Sequence, residues 1–425
     1  MPVRRSHRHG TARFASRGRL AALPVGTVRD ALRHGAERLL RFQPHAYAFL
    51  RRRRQRERER REREDAARRI VPSLSPLSPD VILGHDIQPG HMTEWLAERL
   101  DVPFVVDVVD LPRMHDRSGE AFRRLPARWA REVDERALRH LHRARTLLTT
   151  SEGHSRWLAE RGLASSCVLN ARSLAQHGLA PEPDLRRHLG LSADARLLVM
   201  HNQIAPGYGA ERLLDALPFL PARWHVLFAG PFVPRGYEKE VLRHARRAGV
   251  DERVRTLPPL WDERLVQRLR ACDVAAMAFD RGIANIELGM PNRVFDCLAA
   301  DLPLVAPALE ELRERTGWGH IHLCDTDDPR EMARAVERAD ASRGATPRRA
   351  PVWDEERKKL LRTLADVAAK ASPPNVLLVA AKDAARNNRI RRFAGAIEAA
   401  GGRAAVIDRV GERFRLHSGA PPPRR

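Results

Sequence analysis

The feature that most constrains this chain is an alternation of short apolar runs with amphipathic stretches, occurring twice. The first series reads VILGH (Val81–His85), PFVVDVV (Pro103–Val109), LLTT (Leu147–Thr150) and CVLN (Cys167–Asn170) as buried strands. Helical patterns lie between them at Met92–Leu100, Arg128–Arg143 and Ser155–Arg161. The second series reads Arg196–His201, Trp224–Gly230, Arg253–Leu257, Asp273–Phe279, Pro303–Pro307 and Ile321–Cys324 as strands. Helices are expected between these at Ala210–Leu217, Tyr237–Ala248, Asp262–Ala271 and Asn292–Ala300. Strands alternating with helices give parallel sheets covered on both faces. Two series predict an α/β protein of two doubly wound, Rossmann-type domains facing a cleft. Ligands of such sheets bind beyond the carboxyl ends of the strands.

The flanks differ from this pattern. Residues 1–70 form a basic, Arg-rich extension, and Arg51–Arg69 is nearly all Arg and Glu. Glu57/Arg61, Glu59/Arg63 and Glu64/Arg68 are spaced four apart, acid first, which supports a solvated helix. PSLSPLSPD (Pro72–Asp80) reads as a linker. The first domain is expected over 71–170 and the second over 171–345. Within 346–372, Val352–Lys370 is an amphipathic helix with Trp353, Leu360, Leu364 and Val367 on one stripe. A further unit fills 373–425: a strand in NVLLVAAKD (Asn375–Asp383), a helix over Asn388–Ala400 and a strand in AAVIDR (Ala404–Arg409).

Lys and Arg number 76 against 54 Asp and Glu, a formal charge of +22. That excess favours anionic partners: nucleic acid, acidic lipid or phosphorylated ligands. Nucleic acid is disfavoured, because stacking aromatics are sparse, with three tyrosines in all. Cys167, Cys272, Cys297 and Cys324 form no C-x-x-C pair, so neither a zinc site nor a disulfide framework is expected. No apolar run reaches the length of a membrane span, and no signal peptide is read at the N-terminus. The expected location is cytoplasmic.

Two stretches carry candidate chemistry. In MHNQIAPGYGAERLLDAL a strand ends in a loop with Gly207 and Gly209, and a helix follows. Glycines there allow close backbone approach, and the helix N-terminus offers free N–H groups to a phosphate. In GIANIELGMPNRVFDCLAADLPLVAP a helix opens after Pro291 with Asn292, Arg293 and, one turn on, Asp296. Arg293 with the helix N-terminus suits a diphosphate. Asp296 suits ribose hydroxyls, or it complements the helix dipole. In the first series His85, followed by Asp86, ends a strand that faces the expected cleft.

Asn170 to about Ser342 resembles the donor-binding half of glycosyltransferase family 4 enzymes with the GT-B fold. The segments are VLNARS, LGLSADARLLVMHNQIAPGYGAERLLDAL, LFAGP, RVRTLPPLWDERLVQRLRACDVAAMAF and above all MPNRVFDCLAADLPLVAP. PDVILGHD, PFVVDVVD and LLTTSEGHSRWLAERG resemble the partner domain more loosely, and Val352–Lys370 resembles the helix that crosses back to it. The resemblance implies retaining, metal-independent transfer of a sugar from a nucleotide-diphosphate donor, with no cofactor beyond that co-substrate. It implies donor contacts at Gly207, Gly209, Leu257, Pro258, Pro291, Asn292, Arg293 and Asp296. His85, Asp107 and Arg293 are the expected catalytic residues. The acceptor would be a glycan or lipid-linked molecule, with the basic extension resting on an anionic inner membrane face.

Four positions depart from the family. Leu288 stands where a carboxylate is usual, with Glu287 one step off, and Asp296 replaces the usual Glu. Tyr208 stands where the glycine loop carries Arg or Lys, and Val109, in the DVVD of Asp107–Asp110, where a sugar-contacting His is usual. A catalytically degraded binding or scaffold protein therefore stays open, as does a basic membrane-surface or nucleic-acid adaptor. Asn375–Arg409 resembles the βαβ unit that opens a GT-B first domain, displaced to the other end of the chain. It either docks beside Val81–His85 as a permutation or is the remnant of a second domain. Docking brings Lys382, Asp383, Arg386 and Asn387 to the cleft.

Overall fold

The computed structural model describes residues 70–421 apart from 75, 88–89, 113–126, 345–349, 371, 382 and 411–412, together with Glu57, Arg58, Arg61 and Asp65. Two units, Met1–Glu62 and Arg63–Arg425, divide the chain. Of the expected pairs in the Arg/Glu run, Glu57 and Arg61 are described, exposed and 4.0 Å apart. Glu59/Arg63 and Glu64/Arg68 lie outside the described residues.

Two sheets organise the second unit. The first domain holds β1 (Val81–His85), β2 (Phe104–Val108), β3 (Thr146–Thr149) and β4 (Ser165–Cys167), with α1 (Gly90–Leu100), α2 (Ala127–Arg143) and α3 (Glu152–Ala159) between them. The second holds β5 (Arg196–His201), β6 (Trp224–Ala229), β7 (Val254–Leu257), β8 (Val274–Ala276), β9 (Leu304–Pro307) and β10 (Ile321–Cys324). Its helices include α4 (Ala210–Ala216), α5 (Tyr237–Arg247), α6 (Asp262–Arg270), α7 (Asn292–Ala300) and α8 (Pro329–Ala341). Its strands run parallel in the order β10-β9-β8-β5-β6-β7. Apolar side chains pack on both faces, which is why these strands read as continuous apolar runs rather than alternating ones.

The first sheet has the order β13-β12-β11-β1-β2-β3-β4. After α9 (Trp353–Ala368), β11 (Val376–Ala380) pairs in parallel with β1, from Val81↔Val376 to His85↔Ala380. α10 (Asn388–Ala399) leads to β12 (Ala404–Val410), parallel to β11, and β13 (Arg413–Ser418) returns antiparallel. The C-terminal segment is thus part of the first sheet. Asp80 and Asn375 exchange hydrogen bonds of 2.8 Å at the start of the β1–β11 pair. The apolar stripe of α9 lies against this sheet beside α10: Trp353, Leu360 and Leu364 share a core with Ile390, Phe393 and Ile397.

The sequence reading misplaces some elements. CVLN is not a strand beyond Cys167; Val168 and Leu169 are buried in the segment leaving β4 for the second domain. The run Asp273–Phe279 pairs only over Val274–Ala276, and its remaining apolar residues are buried as loop. Helix α8 and strand β13 have no counterpart in the sequence pattern read above. α8 is amphipathic and opens with Asp328 accepting from Arg330 N and Glu331 N, a signal present in the sequence.

Candidate functional site

The segments after β7 and β8 and the N-terminus of α7 approach the first domain and its linker: Asp262 lies 3.7 Å from Arg391, Asn285 donates to Asp110, and Asn292 accepts from Asn170. Gly207 and Gly209 both have positive φ, 80° and 87°. Gly209 opens α4, and a Cβ there would stand 2.2 Å from the Ala278 carbonyl oxygen, so only glycine fits. Pro291 caps α7, and Asn292 hydrogen-bonds Asn170 of the linker between the domains.

Arg293 is only 4% exposed. Its Nη2 donates to the Gln203 carbonyl, and its guanidinium lies 5.3 Å from the Tyr208 ring and 5.2 Å from the Phe279 ring. Tyr208, which stands where the resembled family carries Arg or Lys, offers Arg293 an aromatic face. Nη1 is buried without a partner. Burial lowers the Arg293 pKa to about 10, which leaves it charged at neutral pH.

Asp296 has partners other than the ribose hydroxyls that the resemblance implies. It is buried, and Oδ1 accepts from Arg172 Nε at 2.7 Å and Nη2 at 2.6 Å. Oδ2 accepts from Asn202 at 2.9 Å and lies 3.3 Å from His201 Nε2. Burial alone would raise its pKa; Arg172 and His201 hold it well below the usual carboxylate range.

Asp107 is likewise fully buried. Arg389 of α10 reaches it with Nε at 2.7 Å and Nη2 at 2.6 Å, and His85 Nδ1 lies at 2.8 Å. Burial would raise this carboxyl too, but Arg389 and then His85 keep it ionised. The network fixes the His85 tautomer. Asn387 Oδ1 caps α10 by accepting from Arg389 N and Ile390 N, so its amide Nδ2 donates to His85 Nε2 at 2.7 Å. Nε2 is therefore the lone-pair nitrogen, and Nδ1–H donates to Asp107.

Of the other expected cleft residues, Asp383 accepts from Ala385 N and Arg415. Lys382 and the Arg386 side chain lie outside the described residues. Leu257 packs against the second-domain core, and the Pro258 carbonyl accepts from Arg268. Leu288 turns into the first-domain core, and its carbonyl accepts from Ser151. Glu287 is held by Arg281 at 2.6 Å, and Asp110 accepts from Asn285 at 2.6 Å. Glu311, buried, accepts from Glu152 N and Gly153 N at the start of α3, another bond between the domains.

Three residues went unnoticed in the sequence: Arg172, Arg389 and Arg392. Among 76 Lys and Arg, no local signal distinguishes them. Arg392 donates to the Asn170 and Ala171 carbonyls, and burial, with Arg172 nearby, lowers its pKa to about 10. With Trp261, which is 56% exposed, Asp262, Arg264, Ser173, Gln176 and Trp353, it lines a cavity of about 450 Å³. Buried Arg172 and Arg389 are hydrogen-bonded to buried carboxylates; among the described residues no carboxylate forms an ion pair with Arg293, and Asp296 acts on it only through space. A buried cation without an ion-pair partner is costly, so this place suits an anion.

Among the described residues no cluster of His, Cys, Asp or Glu could hold a metal ion, and no helix is long and apolar enough to cross a membrane.

Residues 195–340 match the family model described as "Glycosyl transferases group 1". No curated protein sequence matches the chain. Among solved structures it is similar to Anabaena HepE in complex with UDP-glucose, at TM-score 0.53 and 16% identity over 68% of this chain and 79% of that one. It is also similar to HepE in complex with UDP, at TM-score 0.51 and 16% identity over 70% and 81%. At such identity the likeness concerns the fold. Two Rossmann-type sheets give this chain a GT-B-like fold, and residues 195–340 within it carry the match to that family model.

Proposed function

We propose that the chain transfers a sugar from a nucleoside-diphosphate sugar to an acceptor hydroxyl. The observation that carries this is Arg293: a buried guanidinium at the N-terminus of α7, with Nη1 unpartnered and, among the described residues, no carboxylate in an ion pair with it. In the reaction the bond between the sugar's anomeric carbon and the diphosphate oxygen breaks, and its electron pair leaves with the diphosphate. The acceptor oxygen bonds to that carbon and loses its proton. Arg293 and the free N–H groups of α7 and α4 would stabilise the negative charge that grows on the leaving group. This reading needs no cofactor beyond the sugar donor. The HepE complexes hold UDP or UDP-glucose, which supports a nucleotide sugar as the donor class. The cavity beside Trp261 is large enough for a nucleobase, with the indole as a stacking face. Retention at the anomeric carbon and a glycan or lipid-linked acceptor belong to the same reading. So does an anionic surface for the Arg-rich segment.

Calorimetry with UDP, GDP, ADP and pyrophosphate tests it. Arg293→Gln should weaken binding by about 10- to 100-fold, as expected for losing charge-assisted bonds of about 1.5–3 kcal/mol. No binding of any of the four to the unaltered chain would end the proposal. A second reading, a donor-binding protein that does not turn over, is favoured by Leu288 and Glu287, neither of which offers a carboxylate to a sugar. Donor binding without sugar release or transfer would select it.

A further inference from the structure

We infer that Arg172 is a gate on the donor site: it occupies the carboxylate of Asp296 and must leave before a ribose can bind there. The inference rests on the donor reading above. A carboxylate has roughly four acceptor positions. On Asp296 two are filled by Arg172 Nε and Nη2, one by Asn202, and His201 Nε2 stands at 3.3 Å. Both positions on Oδ1 are thus taken, and a ribose hydroxyl finds none free on that oxygen.

Arg172 belongs to the linker rather than to either sheet. It follows Val168 and Leu169 out of β4, and its carbonyl accepts from Trp353 N, the first residue of α9. Both segments that cross between the domains are therefore joined at the residue whose side chain covers Asp296. The guanidinium also reaches the cavity wall: Nη1 lies 3.6 Å from Asp262 Oδ1. Asp262 lines the cavity beside Trp261, and it is partly exposed. Its Oδ2 lies 3.7 Å from Arg391 Nη1, and its Oδ1 is the side that can receive Arg172. If the guanidinium moves from Asp296 toward Asp262, neither charge loses its counter-ion: ribose hydroxyls replace Arg172 on Asp296, and Asp262 receives Arg172. Asn202 and His201 stay on Oδ2, which leaves the freed Oδ1 to the ribose hydroxyls.

The gate separates two parts of one ligand. Pyrophosphate, which has no ribose, has no need to displace Arg172; a nucleoside diphosphate does. In calorimetry with UDP, GDP and pyrophosphate, Arg172→Ala should bind UDP or GDP about tenfold more tightly or better, with pyrophosphate unchanged. Equal weakening for nucleotide and pyrophosphate would make Arg172 a phosphate ligand and overturn the gate while leaving the donor reading intact. No binding of any of the three to either chain would overturn both. Because Arg172→Ala leaves Asp296 buried without its main partner, the variant could fail to fold, and a crystal structure of the unaltered chain with UDP gives an independent test. Asp296 on a ribose hydroxyl with Arg172 turned to Asp262 supports the gate. Arg172 still bound to Asp296 with UDP in the cleft overturns it.

Discussion

Arg389 and Asp107 lie 282 positions apart in the chain and form two hydrogen bonds of 2.7 and 2.6 Å between buried groups. One stands on α10 of the C-terminal segment, the other on β2. The pair joins the displaced segment to the cleft end of the first sheet, and His85 and Asn387 complete a closed network around it. Breaking such a pair leaves a charge buried without compensation.

Arg389→Ala is therefore expected to destabilise the protein by about 3–5 kcal/mol, measured by urea unfolding at neutral pH. The pair also has an acid signature. Asp107 ionises far below an unfolded Asp, whose pKa is about 3.9. Its contribution is thus fully present above that value and is lost as pH falls through the folded one. The acid-unfolding midpoint should move to higher pH in Arg389→Ala. A change under about 1 kcal/mol, with an unmoved acid midpoint, would show that Asp107 is satisfied without Arg389.

A chain ending at Ser372 should lose a folded first domain. The missing part holds nine large apolar side chains that are essentially inaccessible: Val376, Leu377, Leu378, Val379, Ile390, Phe393, Ile397, Val406 and Ile407. At about 1.5–3 kcal/mol each, their burial equals or exceeds most of the roughly 5–15 kcal/mol range of net stability typical of a domain. Circular dichroism and protease resistance of residues 81–167 read this out. An unchanged melting temperature would contradict it.

His154 predicts a pH dependence on the opposite flank of the cleft. It lies in α3, and burial holds its pKa down to about 4, with Asp110 and Asn285 only partly offsetting this. In the unfolded chain a histidine titrates near about 6.5. As pH falls from there toward 4, the unfolded chain takes up a proton that the folded one refuses. Stability then declines, by roughly 3 kcal/mol at most. Denaturation at pH 7.5 and pH 4.5 should show a smaller difference for His154→Leu than for the unaltered protein. Identical pH slopes for the two would mean that His154 is protonated in the folded state.

Donor binding is expected to depend on Arg293 and not on the exposed arginines of α5. Arg243→Gln and Arg247→Gln in α5 serve as controls for general charge. A nucleotide affinity that falls equally in these variants and in Arg293→Gln would assign it to the overall +22 charge instead of to one site.

Local patterns in the sequence determined most of the strands and helices of both domains, the glycine turns and the start of α7. Apolar periodicity and turn chemistry act between near neighbours, so they are legible without a structure. α7 over Asn292–Ala300 and β1 over Val81–His85 fall where the residue pattern places them. The partners of the buried charges are a different matter. With 76 Lys and Arg against 54 Asp and Glu, composition permits many ion pairs, and nothing local selects Arg172 for Asp296 or Arg389 for Asp107. Those choices follow from which segments the sheets bring together. β11 adds to the edge of β1 and carries Arg389 to β2, while the linker crosses α7 and lays Arg172 on Asp296. Tertiary structure alone decided them, because the desolvation that makes an ion pair strong and selective exists only once the chain has packed around it.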